Sequence, residues 1–102
     1  MTAARFDAVV HAPNRLQICA LLRTVDSAEF GTVRDELGIS DSVLSKHVRV
    51  LEETGYVKIR KATVASRQRT WLALTRSGKD ALDGHVAELR RLLDATPGRM
   101  SG

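Results

Sequence analysis

The sequence predicts a mainly α (α+β) domain: helices around one core, interrupted once by a two-stranded hairpin. Three observations carry that expectation. Apolar residues recur at helical spacing through most of the chain. Between Tyr56 and Leu74 the period falls from about 3.6 to about 2. The 102 residues suffice for one small core and not for two.

A short helix opens the chain over residues 5–10, RFDAVV, within a segment 5–12 in which Phe6, Val9 and Val10 share a face. Pro13 begins the next helix, because the N–H it lacks has no partner in a first turn. Leu16, Cys19, Ala20, Leu22 and Arg23 follow helical spacing and Ile18 and Leu21 widen the apolar surface, so residues 13–25 form a buried second helix. Cys19 lies on that stripe as a small hydrophobe, with a redox-sensing thiol as the alternative. Residues 26–29, DSAE, form a break. Phe30, Val33 and Leu37 then mark a short helix over 31–37, which Gly38 ends by taking the left-handed conformation.

A tight turn, Gly38 to Ser40, leads into SDSVLSKHVRVLEETGYV. Ser40 is the N-cap, and Asp41 suits the positive end of the helix dipole. Leu44, Val48 and Leu51 repeat at i, i+4 and i+7 as the buried stripe, and Gly55 stops the helix. The other face carries Ser42, Ser45, Lys46 and Arg49, with His47 near the boundary.

Beyond Gly55, Tyr56, Lys58 and Arg60 alternate with Val57 and Ile59, and Trp71 and Ala73 with Leu72 and Leu74. KATVASRQR between them is polar and basic, so the segment is a hairpin with a long charged tip. The last helix, 76–95, repeats Leu82, Val86, Leu89 and Leu93. That stripe can pack on its own domain or on a second copy, and the small size of the chain favours the copy. The domain thus spans 1–95, with 96–102 as a flexible tail.

Charge narrows the function. From Lys46 to Lys79 there are nine basic residues against two acidic ones, and elsewhere seven against ten. Such concentration is the footprint of a surface that meets phosphate, or else a solvated basic face. The four aromatics are too few for a base-stacking RNA platform. No apolar run approaches the roughly 18 residues of a membrane helix, and no signal segment precedes residue 15, so no membrane partner and a cytoplasmic location are expected. No Gly-rich phosphate loop, Cys–His pattern or carboxylate pair points to an enzyme, and no catalytic residue or cofactor is expected.

Two helices joined by a glycine turn, the second running into a basic hairpin and then a further helix, make a winged helix-turn-helix with a two-stranded β-wing and a C-terminal dimerisation helix. A helix fits the DNA major groove, where Lys or Arg pairs with guanine O6 and N7. Lys61, Ser66, Arg67, Gln68 and Arg69 of the wing can track phosphates or enter the adjacent minor groove.

The run FGTVRDELGISDSVLSKHVRVLEETGYVKIRK, followed by SRQRTWLALTRSGKDAL, resembles the MarR-type regulators and their ArsR-like relatives over residues 5–90. LSKHVRVLEETGYV and LTRSG are the most specific pieces. The resemblance implies a homodimer on double-stranded DNA with a pseudo-palindromic operator, Ser42, Val43, Ser45, Lys46, His47 and Arg49 on the recognition helix, and Arg67 and Arg69 on the wing; Ser40 and Asp41, at the start of that helix, complete the expected DNA-binding set. Phe6, Val9, Val10, Leu82, Val86, Leu89 and Leu93 would form the dimer interface. His47, in the SKH element, contacts a phosphate or braces the helix beside Leu51, with a pH-switch or metal role as the further alternative. ArsR-like metal sites find little here: Asp83 and His85 match half of one, but Thr96 and Arg99 occupy its later positions, and two ligands rarely hold zinc. A protein-interaction module and a metal- or redox-responsive sensor are the alternatives to a DNA-binding regulator, and no small-molecule effector can be named.

Overall fold

The computed structural model describes residues 3–95. Its order is α1 (Ala8–His11), α2 (Pro13–Arg23), β1 (Ala28–Glu29), α3 (Phe30–Leu37), α4 (Asp41–Thr54), β2 (Val57–Val64), β3 (Arg67–Leu74) and α5 (Arg76–Asp94). The strands form one antiparallel sheet in the order β1-β3-β2. The core joins Val10, Ile18, Cys19 and Leu22 to Val33, Leu44, Val48 and Leu51, and closes on Val57, Leu72, Leu74 and Leu82. Ile18, Leu22, Leu44, Leu51 and Leu72 are fully buried, each contributing about 1.5–3 kcal/mol of transfer free energy.

The caps explain the helix boundaries. Ser40 Oγ accepts from Val43 N at 3.2 Å to start α4. Gly38 and Gly55 end α3 and α4 at φ of 63° and 89°, values that side-chain-bearing residues rarely adopt. Thr75 caps α5, accepting from Gly78 N at 3.0 Å.

Three expectations need correction. Residues 26–29 are not all a break, because Ala28 and Glu29 pair with Leu72 and Trp71, which makes the sheet three-stranded. Residues 5–7 are not helical: Asp7 is the N-cap of α1, accepting from Val10 N at 2.9 Å, and Arg5 N donates to Gly84 O at 2.9 Å. The wing has no long loop, since its ladder continues to the Val64–Arg67 pair. The expected tail, 96–102, lies outside the described residues.

Only Ala65 and Ser66 make the wing turn, at φ of 51° and 66°. Two left-handed residues match the two-residue turn of right-twisted hairpins, which favours Asn-Gly. Alanine at such a φ is strained by about 1 kcal/mol. Replacing Ala65 by Asn and Ser66 by Gly is therefore expected to raise the melting temperature by a few degrees, roughly the effect of 0.5–1 kcal/mol at this size. Calorimetry showing no gain or a loss would contradict this account of the turn.

Candidate nucleic-acid interface

The core stripe of α4 turns the rest of that helix outward. Leu44, Val48 and Leu51 are buried, while Ser42, Val43, Ser45, Lys46 and Arg49 are exposed. α3 supports the N-terminal end: Arg34 Nη1 donates to Asp41 Oδ1 at 2.8 Å and Nε to Asp35 Oδ1 at 2.9 Å. Exposed pairs of this kind add little stability. Their consequence is electrostatic, because Arg34 offsets a carboxylate at the very tip of the presented helix. Ser40, also exposed, spends its oxygen on the cap and lies 3.2 Å from Ser42 Oγ.

His47 stands differently. It is half-buried against α2, with Arg15 Nη1 3.3 Å from Nδ1 and the Asn14 side-chain amide 3.4 Å from Nε2. Burial first, then the positive charges of Arg15 and Lys46, lower its pKa and favour the neutral ring.

In the wing, opposite residues share a face. Val57–Leu74, Ile59–Leu72, Lys61–Thr70 and Thr63–Gln68 lie on one side, and Lys58–Ala73, Arg60–Trp71, Ala62–Arg69 and Val64–Arg67 on the other. Lys61, Ser66, Arg67 and Gln68 are exposed. Arg69 is half-buried and donates to Glu29 Oε2 at 3.3 Å, so the missed strand β1 holds one of the expected wing arginines. On the same face the Arg60 guanidinium lies 5.8 Å from the Trp71 ring centroid. A cleft of about 430 Å³ separates α4 from the wing, with Ser45, Arg49 and Glu52 on one wall and Lys61 and Thr70 on the other.

The expected interface between copies divides. Val10 is 0% and Leu82 4% exposed, so both belong to the chain's own core rather than to a surface between copies. Val9, Val86 and Leu89 are half-buried. Phe6, Leu92 and Leu93 are exposed at 48%, 47% and 67%.

Sequence reading missed a histidine cluster behind that surface. Phe6, His11 and His85 contact one another with ring centroids 4.8–5.0 Å apart. Buried His85 accepts Asp7 N–H at Nδ1 (3.0 Å), so its proton sits on Nε2 and is donated to His11 Nδ1 (3.0 Å). Asp7 Oδ2 in turn accepts from Tyr56 Oη at 2.5 Å, which helps push the tyrosine up to about 12. Asp83 pairs with Arg23 at 3.1 Å and both ring nitrogens of His85 are hydrogen-bonded, while Thr96 and Arg99 lie outside the described residues. No group of three potential metal ligands occurs among the described residues. Burial pushes the Cys19 thiol up to about 11, which suits core packing better than reactivity.

Burial, reinforced by His11 and opposed by Asp7, lowers the His85 pKa. The unfolded chain, with histidine near about 6.5, then binds more protons than the folded one below that pH. Stability should be full above about pH 6.5 and decline as the pH falls toward the folded-state value. The expected result is a lower melting temperature at pH 5.5 than at pH 7.5, with His85→Gln flattening the slope apart from the share carried by His47. An unchanged slope in that variant would contradict the buried, neutral His85 ring as a source of the pH dependence.

The family described as winged helix DNA-binding domain matches residues 14–93. An uncharacterised protein of Methanocaldococcus jannaschii is 31% identical over 78 residues, covering 76% of this chain and 85% of that one. A transcriptional regulator homologue from Pyrococcus horikoshii superposes with a TM-score of 0.80 at 30% identity, covering 84% and 85% of the two chains. A possible transcriptional regulator for arsenical resistance gives a TM-score of 0.63 at 28% identity, covering 86% and 93%. The structural neighbours are thus regulators of the MarR and ArsR type. No helix among the described residues is long and apolar enough to cross a membrane.

Proposed function

The chain belongs to the winged helix DNA-binding domain family, and from that premise we propose that it is a dimeric, sequence-specific transcriptional regulator acting as a repressor. The observation that carries the reading is the face of α4: an exposed run of Ser42, Ser45, Lys46 and Arg49 on a helix anchored from behind by Leu44, Val48 and Leu51, beside a basic hairpin. In this reading α4 enters the major groove, Ser42 and Lys46 reach base edges, and Val43 adds an apolar contact. Arg67 and Gln68 at the wing tip meet the backbone or the adjacent minor groove. Two copies join through the distal part of α5 and Phe6, where apolar side chains are exposed. A two-fold pair then reads a pseudo-palindrome and occludes it from polymerase.

Selection from a random duplex library, followed by gel-shift titration at several salt concentrations, tests this. An enriched inverted repeat is the expected outcome. Salt-sensitive binding without any enriched sequence would reduce the activity to non-specific association. Sedimentation should show a dimer at micromolar concentration, dissociated by Leu93→Asp; a wild-type monomer would remove the two-fold part of the reading.

A further inference from the structure

The ring cluster beside α1 is held by bonds that a single proton breaks. His85 accepts the Asp7 N–H at Nδ1 (3.0 Å) and donates from Nε2 to His11 Nδ1 (3.0 Å). Each ring thus carries its proton on Nε2, and each Nδ1 is already an acceptor. A second proton on either ring sets donor against donor, at the Asp7 bond or between the rings, and moving the His85 proton to relieve one contact spoils the other. Such a mismatch is costly where it is buried, and His85 is 0% exposed. His11 is exposed, so solvent protons reach the pair.

These bonds hold more than the rings. α1 has only four residues, too few for a helix to stand alone. Asp7 caps it, accepting from Val10 N at Oδ1, and accepts from Tyr56 Oη at Oδ2. On the other side Val9 O accepts from Arg15 Nε at 2.6 Å, and Arg15 and Asn14 close on the two ring nitrogens of His47 in α4 at 3.3 and 3.4 Å. α1 therefore stands between His85 of α5 and His47 of α4.

The surrounding charges set the direction of the response. Asp7 stays a carboxylate, because burial pushes its pKa up but the bonds from Tyr56 and the α1 backbone more than offset that. Cys19 of α2 lies within electrostatic reach of Asp7 and Tyr56, Arg15 of Cys19, and Arg5 of Tyr56. On α5, Asp80 lines the cleft beside Asp7 and Tyr56, while Asp83 is paired with Arg23 and Glu88 with Arg91. Burial, with His11 adding and Asp7 opposing, keeps the His85 ring neutral until the pH falls below the ordinary histidine value.

We propose that His11 and His85 form a proton-operated latch: an added proton on either ring frees residues 5–11 from α5, Val9 then releases Arg15, and α4 loses the brace on His47. The consequence for DNA rests on the DNA-binding reading above: the chain holds its operator near neutral pH and lets it go in acid. Phe6 packs on both rings, with centroids 4.9 and 4.8 Å away, and moves with the segment. Protonation of His47 itself acts in the opposite sense, adding positive charge to the face that meets phosphate, so the two effects separate by sign.

The test uses the full chain, first without DNA. Long-range proton–nitrogen spectra of the imidazole rings follow His85 from about pH 7.5 down to about pH 5, and amide hydrogen exchange is measured in parallel and corrected for its intrinsic pH dependence. As His85 gains its second proton, protection at the Asp7 and Val10 amides is expected to fall about fivefold or more relative to the β3 amides, and the His47 ring signals to shift with the same midpoint. The double variant His11→Gln and His85→Gln keeps an acceptor and a donor at each place without titrating, so its protection should stay level and His47 should keep only its own titration. Protonation of His85 that leaves protection at Asp7 and Val10 intact overturns the latch, as does an equal loss in the double variant; the wild-type titration decides by itself if that variant does not fold. With the selected duplex, anisotropy at constant salt should show wild-type affinity falling about fivefold or more relative to the double variant over the same range. Identical pH dependence in the two proteins overturns the link to α4. A chain whose latch opens as described but which binds no duplex overturns the DNA-binding reading and leaves the latch standing.

Discussion

Gly78→Ala is expected to lower the melting temperature by more than about 10 °C, corresponding to roughly 3 kcal/mol for a domain of this size. Gly78 lies in the first turn of α5, and a Cβ there would stand 2.2 Å from Tyr56 O and 2.8 Å from Leu74 Cδ1. The first of these is backbone, so no rotamer change relieves it. Moving α5 outward would break the Thr75 N to Tyr56 O bond of 2.9 Å and loosen Leu82 from the core. Gly31→Ala makes the control, because its nearest neighbours would be flexible Arg34 side-chain atoms at 3.4 Å or more. Scanning calorimetry of the two variants decides: similar melting temperatures would refute the close-approach account.

Lys46→Ala should weaken binding to the selected duplex by about 5- to 150-fold, the range of 1–3 kcal/mol for one good base contact. Lys46 is exposed, opposite the buried stripe of α4, with no carboxylate in contact among the described residues. The same change should relax preference at one base position per half-site, whereas Arg67→Ala should weaken all sequences about equally and reduce the salt slope by about 1. Competition binding against single-base variants separates the two effects. Equal losses on all sequences for Lys46→Ala would move that side chain from bases to backbone.

The helices were largely legible because their signals are local. Ser40, Gly38 and Gly55 occupy the caps their chemistry suits, and the spacing of Leu44, Val48 and Leu51 determines which face α4 presents. The face opposite them could be read for the same reason. β1 was not legible: two residues carry no period, and Ala28 and Glu29 become a strand only because β3 is there to pair with them. The wing turn escaped because Ala-Ser lacks the Asn-Gly signature, so the polar ladder beside it looked like loop. The contact between His11 and His85 spans 74 positions, and no pattern along the chain announces it. Thr70 gave no signal either, since its place beside Lys61 follows from strand register alone.

Thr75 has a consequence beyond capping. Its N–H donates to Tyr56 O at 2.9 Å, its hydroxyl donates to Gly55 O at 2.6 Å, and the same oxygen accepts from Gly78 N. The end of α4, the start of β2, the end of β3 and the start of α5 therefore hinge on one residue. In the proposed dimer, α5 is the axle and α4 the probe, so the angle held at this joint works as a ruler for the distance between the two probes. The half-site spacing the protein accepts would then be written at a threonine that stands apart from the proposed base-reading face.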